Sequence, residues 1–287
     1  MCDFTRMTEF VFSCTSDSPK AIAQSLIAIA WKQPENQSCS VNVSRNGILF
    51  LTEDVGVLQA NVLLGASMFR QYALLTENAY DFHINLTSLA YCLSVFTETA
   101  STIEFKVADS ELIIQIHDRG SLTECSIRTI HYPADQSNQP NLSDAFSSLD
   151  SPEVAQFQIA SANAREMFRF PNEQKNKSVG ISMSIDPDEK TFGVRAEGAY
   201  GAVESIMLFS QPILKRIRLD LQEKLVAHYP VSSLTPMLKA MSISNETNFK
   251  FKSNGMVAVQ QAIKSSNVSG NDIYVEFIIQ PSEESLL

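Results

Sequence analysis

Three carboxylates that lie close together are the densest candidate for chemistry in this chain. Asp186, Asp188 and Glu189 fall within one Asp-Pro-Asp-Glu segment, and nucleases use such carboxylates to hold divalent metal ions. The segment also separates two predicted strands, where Pro and Asp are typical turn residues. We prefer the turn, and a metal-dependent 3′-5′ exonuclease stays open as an alternative.

The other residue types that often carry catalysis lack catalytic spacing. The sequence has no GxxxxGK[ST], HExxH or GxSxG motif. Its five cysteines are scattered and form no CxxC pair, which argues against a zinc site or a disulfide framework. We therefore predict no catalytic residue, no metal and no cofactor. The histidines lie in or beside predicted strands without spaced partners; they are His83, His117, His131 and His228.

Basic residues are concentrated on the predicted helices. Segments 17–32, 86–96, 161–169 and 232–241 together carry a charge of +3, whereas the whole chain carries −10. A positive face on an acidic body suits a surface that meets DNA phosphates while the remaining surface repels them. Ordinary solvated helix faces would give the same pattern. The candidate phosphate contacts are Lys20, Lys32, Arg165, Arg169 and Lys239.

Helical spacing places these cations on polar stripes. Lys20 and Lys32 share one stripe on the first predicted helix and its end, 18–32. Arg165 and Arg169 are four residues apart on the third, and Lys239 lies on the polar side of the fourth. The polar stripe of the second helix, 86–96, has no cation.

The elements that must position these residues form a fourfold repeat. One strand, one short helix and three further strands recur, with first strands near Phe10, Tyr80, Val154 and Glu223. Two such units make one two-layer domain, so the repeat predicts two similar domains. The fold class is α+β, with antiparallel sheets and helices on one face. The predicted boundaries are 1–132 and 153–280, a connector 133–152 and a tail 281–287.

Two hairpins are indicated by Asn-Gly pairs at the same step of the first and fourth units. Asn46-Gly47 and Asn254-Gly255 each separate two alternating apolar runs. Asn-Gly is the strongest short hairpin signal, because both central residues of a type I′ turn need positive φ.

The connector 133–152 is polar and rich in turn-forming residues, which sets it apart from the repeat. Leu142, Phe146 and Leu149 keep helical spacing within it. Part of the connector is therefore predicted to be a helical turn that docks.

Two segments resemble the Rad-one family of checkpoint-clamp subunits. In 46–61 an Asn-Gly-Ile turn leads towards a Gln-Ala-Asn strand, and in 82–96 an Ile-Asn-Leu-Thr corner leads into a Cys-Leu-Ser helix. Similarity in detail covers about residues 40–100, and the rest resembles the family in layout. The resemblance implies the PCNA-like DNA-clamp fold, with sheets outside and helices inside.

The resemblance also implies a function without catalysis. Family members form the nuclear nine-one-one ring with Rad-nine and Hus-one subunits, encircle duplex DNA without sequence preference, and involve no membrane. An alternative clamp loader places the ring at damage, where checkpoint and repair proteins dock. A PCNA-like homotrimeric replication clamp is the other alternative, which the uncharged second helix weakens.

By the same resemblance, two edge strands pair with the neighbouring subunits, because ring closure covers exposed strand edges. In clamps the connector borders a groove for client peptides. Here Leu142, Phe146 and Leu149 either cover that groove in the free state or only anchor the connector to the sheet. The implied interface residues are Thr123, Cys125, Ile127 and Thr129 on one strand, and Gly201, Val203, Ser205 and Met207 on the other.

Overall fold

The computed structural model describes residues 10–32, 36–95, 101–108, 110–131, 142–169, 180–198, 201–263 and 273–282. The chain divides into two compact units, which are described separately. Unit 1 comprises Met1–Thr52, Val62–Asn138 and Lys264–Ile273. Unit 2 comprises Glu53–Asn61, Gln139–Ile263 and Tyr274–Leu287.

The first two predicted repeats are present, with one additional strand between them. Along the chain the elements are β1 (Phe12–Ser16), α1 (Pro19–Ala28), β2 (Ser38–Ser44), β3 (Gly47–Asp54), β4 (Leu58–Gly65), a short 3-10 turn (Ala66–Met68), β5 (Gln71–Leu74), β6 (Tyr80–Asn85), α2 (Leu86–Val95), β7 (Thr102–Ala108), β8 (Glu111–Asp118) and β9 (Ser121–Arg128).

The last two repeats are present as well, preceded by one short helix and interrupted by a further strand. The elements are α3 (Leu142–Ser147), β10 (Glu153–Ala160), α4 (Ser161–Met167), β11 (Gly180–Asp186), β12 (Thr191–Gly198), β13 (Gly201–Leu208), β14 (Leu214–Leu219), β15 (Leu225–Pro230), α5 (Val231–Met241), β16 (Glu246–Lys252), β17 (Val257–Ile263) and β18 (Ile273–Ile279).

The described strand pairings within each unit are antiparallel, as the repeat predicts. In unit 1 five strands run in the order β5-β1-β7-β8-β9, and β3-β2-β6 form a second run. In unit 2 four strands run β13-β12-β11-β15, and β14-β10-β16-β17 form a second run. The α+β prediction is confirmed.

Alternation of side chains explains why these segments are strands with one covered face. In β8 every second residue from Leu112 to Ile116 is buried, while the residues between them are partly exposed. The helices pack on the sheets, since α2 contacts β2 and β6 in unit 1, and α4 contacts β10 and β16 in unit 2. Opposite the polar stripes, Leu26 on α1 and Phe168 at the end of α4 are fully buried.

The two Asn-Gly pairs do lie in hairpins, but the type I′ turn is wrong. Among the described residues, those with positive φ other than glycine are Arg119, Lys190 and Arg216. Neither Asn46 nor Asn254 therefore has the positive φ that a type I′ turn requires. Ser44 pairs with Gly47, and the Ser44 hydroxyl accepts a hydrogen bond from the Asn46 amide at 3.3 Å. The side-chain bond shapes this turn instead.

The predicted docking of the connector is confirmed for its helix and wrong for its last apolar residue. Leu142, at the start of α3, packs with Met256, Ala258 and Ile278, and Phe146 packs against this cluster. Leu149 is 97% exposed and therefore covers nothing in unit 2. The predicted connector residues 133–141 and tail residues 283–287 lie outside the described residues.

No helix in the described residues is both long enough and apolar enough to span a membrane.

Candidate nucleic-acid interface

Helices α4 and α5 of unit 2 enclose a shallow cleft that gathers three of the five predicted cations. The cleft has a volume of about 510 Å³. Arg165, Arg169 and Lys239 line it, together with the hydroxyls of Thr235 and Ser242. The two guanidinium groups and the ammonium group suit the oxygens of a phosphate, to which they donate charge-assisted hydrogen bonds. Both hydroxyls already donate to helix carbonyls, of Val231 and Lys239. The structure therefore brings together residues that lie about 70 positions apart in the chain.

A cluster of hydroxyls fixes the start of α4. Ser161 is fully buried, and its Oγ lies 2.8 Å from Thr247 Oγ1 on β16. Ser244 donates to the same Ser161 oxygen at 2.8 Å, and the Ser161 amide donates to the carbonyl of Asn245 at 2.9 Å. Because the helix has only two turns, this anchor determines where Arg165 points.

A hydrogen bond from strand β17 holds helix α5 on the sheet. Gln261 is fully buried on β17 and its amide donates to the carbonyl of Met237 at 3.0 Å. Pro236 lies inside the helix and cannot donate a backbone hydrogen bond there. Thr235 donates its hydroxyl to the carbonyl of Val231 at 3.0 Å. Lys239 is exposed on this anchored helix.

The charges in the cleft favour an anion. One carboxylate, Glu166, accompanies the three cations. It lies 3.5 Å from Arg169, with both side chains more than half exposed. An ion pair this exposed contributes little stability, so a phosphate oxygen can replace the carboxylate at low cost.

The helix face of unit 1 is less basic. Lys20 is exposed on α1, and Tyr91 on α2 is 71% exposed. Lys32 was expected to continue the α1 stripe, but this is wrong because α1 ends at Ala28. Lys32 is half-buried, and its backbone amide donates to Gln37 Oε1 at 3.0 Å.

Sequence reasoning missed Gln37, which organises this region. Its Nε2 donates to the carbonyl of Ile29 at 3.1 Å and to Thr52 Oγ1 at 2.6 Å. Its backbone amide donates to Thr87 Oγ1 at 3.2 Å. One buried side chain thus joins the end of α1 to β3, and its backbone joins the start of α2. Its only sequence signal was a polar residue beside a predicted strand.

The two predicted interface strands are both terminal strands of their runs. β9 pairs with β8 on one side and β13 pairs with β12 on one side, and among the described residues neither strand has a strand partner on its other side. Their burial patterns are identical. The predicted residues Thr123, Cys125, Ile127, Val203, Ser205 and Met207 lie on the half-buried or buried side, Gly201 is exposed at the start of β13, and Thr129 lies one residue beyond β9.

The exposed residues of these strands, which sequence reasoning did not single out, differ in chemistry. On β13 they include Ile206, which is 63% exposed, with Leu208 and Glu204. On β9 they include Leu122, which is 54% exposed, with Glu124 and Arg128. The β13 edge therefore exposes two large apolar side chains and one carboxylate, whereas the β9 edge exposes one large apolar side chain, one carboxylate and one guanidinium.

The carboxylate segment forms the predicted turn. Asp186 Oδ1 accepts the backbone amides of Asp188 at 3.2 Å and Glu189 at 3.0 Å. These bonds, chiefly that from Glu189, and nearby Lys224 hold the pKa of Asp186 below its ordinary value. In the part of the chain that the structure describes, no group of three His, Cys, Asp or Glu residues is arranged to hold a metal.

The architecture of paired repeats, covered sheets and free edges has a solved counterpart. The structure is similar to PCNA from Thermococcus kodakaraensis, with a TM-score of 0.72, 15% identity and coverage of 94% of this chain and 100% of that chain. The fold is therefore the PCNA-like clamp fold.

The family is defined by sequence. Residues 11–263 match the model of the family described as repair protein Rad1/Rec1/Rad17, and the chain belongs to this family, the Rad-one family named above. It is 24% identical over 275 residues to the human cell cycle checkpoint protein RAD1, covering 93% of this chain and 90% of that protein.

Two further relatives extend the match. The mouse cell cycle checkpoint protein RAD1 is 23% identical over 283 residues, covering 96% of this chain and 94% of its own length. The DNA damage checkpoint control protein rad1 of Schizosaccharomyces pombe is 19% identical over 262 residues, covering 86% and 80%.

Proposed function

We propose that this chain is one subunit of a heterotrimeric checkpoint clamp that encircles duplex DNA at damage and provides docking sites for checkpoint and repair proteins. The observation that carries the proposal is a clamp-fold chain of the Rad1 family whose two free strand edges differ in chemistry. Its action is in the nucleus and involves no catalysis. Its domains are 1–132 and 153–280, joined by the connector 133–152.

The two edges require two different neighbours. In a homotrimer, β9 of one copy would pair with β13 of the next, which would set Glu124 and Arg128 of β9 against an edge that exposes Glu204, Ile206 and Leu208. One guanidinium would then meet two carboxylates, and one carboxylate would have no partner. Charges taken from water without a partner are costly. Two distinct partners, of the Rad-nine and Hus-one type, can each complement one edge.

The helix faces hold the DNA backbone. Arg165, Arg169 and Lys239 contact phosphates around the α4–α5 cleft, and Lys20 and Lys32 add weaker contacts from unit 1. Phosphate contacts position a protein on DNA without reading sequence. A clamp needs this behaviour because it must remain on DNA of any sequence, including where an alternative clamp loader has released it.

The connector helix α3 borders a docking site for client peptides. Leu142 and Phe146 occupy the apolar cluster of Met256, Ala258 and Ile278. A client that inserts its own apolar side chains there must displace them, which raises specificity and lowers affinity. Changing Leu142 and Phe146 to Ser tests this proposal, since tighter peptide binding by an intact complex supports it. Loss of stability without tighter binding means that the two residues only anchor the connector.

Co-expression with Rad-nine-type and Hus-one-type subunits tests the assembly. We expect a complex with one copy of each chain, measured by native mass spectrometry, and a monomer when this chain is purified alone. A stable homotrimer of this chain would support the replication-clamp alternative instead.

A further inference from the structure

Two cysteine side chains of unit 1 meet where helix α2 packs on the edge strand β9. Cys92 lies on α2 and Cys125 on β9, and these two elements are in contact. The two thiols lie close enough to interact electrostatically. Because the two elements lie far apart in the chain, only the fold brings these sulfurs together.

The pair differs from the other described cysteines in access to solvent. Cys92 and Cys125 are partly exposed, whereas Cys14 and Cys39 are buried. A small oxidant can therefore reach the pair in the folded chain but not the buried thiols. Oxidation of a thiol follows exposure and the presence of a neighbouring thiol that can resolve the product.

We propose that Cys92 and Cys125 form an oxidative modification site, at which a hydroperoxide converts the two thiols into one disulfide. The site is assigned from the contact between α2 and β9, and it does not depend on the clamp function.

The chemistry balances with one peroxide as the two-electron oxidant. The first thiolate attacks one oxygen of hydrogen peroxide, which breaks the O–O bond and gives a sulfenic acid and hydroxide. The hydroxide takes up the proton that the thiol released, forming water. The second sulfur then attacks the sulfenic sulfur and displaces hydroxide, which becomes the second water on protonation. Two thiols and one peroxide thus give one disulfide and two waters.

The protein environment sets the pH dependence of this step. Desolvation, followed by the contact with Cys125, raises the pKa of Cys92 to about 11. The thiolate is the attacking species. Below that pKa, a step that uses the Cys92 thiolate therefore becomes about tenfold faster for each unit by which the pH rises. The step in which Cys92 attacks first is therefore slow at neutral pH.

The disulfide would tie α2 to β9 by a covalent bond. In the part of the chain that the structure describes, β9 is a terminal strand that pairs with β8. A cross-link across this contact restricts the unfolded chain and should raise the melting temperature of the transition that includes unit 1 by roughly 5 °C.

The test uses the full chain in a Cys2→Ser background, since Cys2 lies outside the described residues. The folded protein is treated with hydrogen peroxide at pH 8.5, remaining thiols are alkylated, and the protein is digested without reduction. We expect one cross-linked peptide that joins Cys92 to Cys125, a mass loss of two hydrogen atoms, and unmodified Cys14 and Cys39 thiols that alkylate only after unfolding.

A matched variant separates the pair from general oxidation. Cys92→Ser should abolish the cross-link and the rise in melting temperature, leaving Cys125 as a sulfenic or higher acid. The proposal is overturned if the folded Cys2→Ser protein yields no Cys92–Cys125 peptide, or yields it no faster than disulfides to Cys14 or Cys39. Diamide, which needs no sulfenic intermediate, provides a second oxidant that must give the same linkage.

Discussion

Gln37 contributes at the residue scale by satisfying backbone groups that the end of α1 leaves open. Its side chain bonds the Ile29 carbonyl, the Lys32 amide and the Thr52 hydroxyl, and it is only 3% exposed. The last carbonyls of a helix have no partner within the helix. A single glutamine therefore supplies the termination that a glycine often provides elsewhere.

Gln37→Ala should lower the free energy of unfolding by about 2–3 kcal/mol, because buried polar groups lose their partners. Urea denaturation followed by circular dichroism measures the change. The control is Gln24→Ala on the half-exposed side of α1, expected within about 0.5 kcal/mol of the parent. Equal effects of the two substitutions would contradict the role given to Gln37.

The backbone at position 47 accepts only glycine, because its φ is positive and there is no room for a Cβ atom. Its φ is 144°, and a Cβ there would lie 2.2 Å from the Leu64 carbonyl oxygen. Gly47→Ala should therefore cost about 2–4 kcal/mol. Gly180→Ala is the matched change, since a Cβ at Gly180 meets nothing within 4 Å. If thermal melts give both variants the same stability, the close approach at Gly47 is wrong.

The sequence identified Gly47 as a turn residue but not the reason for it. Asn-Gly statistics predict a local turn type, whereas Gly47 is required because β4 passes close behind it. Gln37 was likewise not predicted, because its partners lie both nearby and 50 positions away. Long-range contacts of single polar residues leave no periodic pattern.

At the scale of elements, the repeat made the main strands and helices predictable, and departures from the repeat were missed. β5 has only four residues, and β14 contains Arg216 at φ 52° beside a shift in register with β10. A bulge breaks the period of two that marks a strand. Lys32 was misplaced for a related reason, since helical spacing continues in sequence beyond the point where α1 ends.

The cleft between α4 and α5 should account for most of the salt-dependent DNA contact of this subunit. Changing Arg165, Arg169 and Lys239 together to Ala should reduce the slope of log affinity against log salt by up to about three in the assembled complex. Fluorescence anisotropy with duplexes of two unrelated sequences measures it, and both should lose affinity equally.

The matched control removes the same number of charges from the edge strand β14. Lys215, Arg216 and Arg218 are exposed there, and their replacement by Ala should leave the salt slope unchanged. An equal effect of the two triple variants would mean that overall charge, and not the cleft, governs binding.

The two free edges should bind different partners, which single substitutions can separate. Ile206→Glu on β13 and Leu122→Glu on β9 should each weaken one partner at least about 100-fold and leave the other unchanged, because an unpaired buried charge costs about 3 kcal/mol or more. Pairwise pull-downs and calorimetry measure this. Val226→Glu on β15, also a terminal strand with Val226 42% exposed, should affect neither partner.

At the scale of the whole molecule, the fold was predictable because four copies of one pattern agree. Each repeat alone is ambiguous between a strand run and a loop, but their common order is not. The charge pattern also needed the whole chain, because a net charge of −10 by itself argues against DNA binding. Its distribution over α4 and α5 became clear only when the fold brought Arg165 and Lys239 to one cleft.

The most direct test of the central claim is topological retention on DNA. The heterotrimer containing this chain is loaded on a nicked circular plasmid by the clamp loader, washed at high salt, and then the plasmid is linearised. The account predicts that the complex stays on the circle after the wash and is released when the DNA is cut, whereas this chain alone is not retained. Retention of this chain alone as a homotrimer, or no difference between circular and linear DNA, would contradict it.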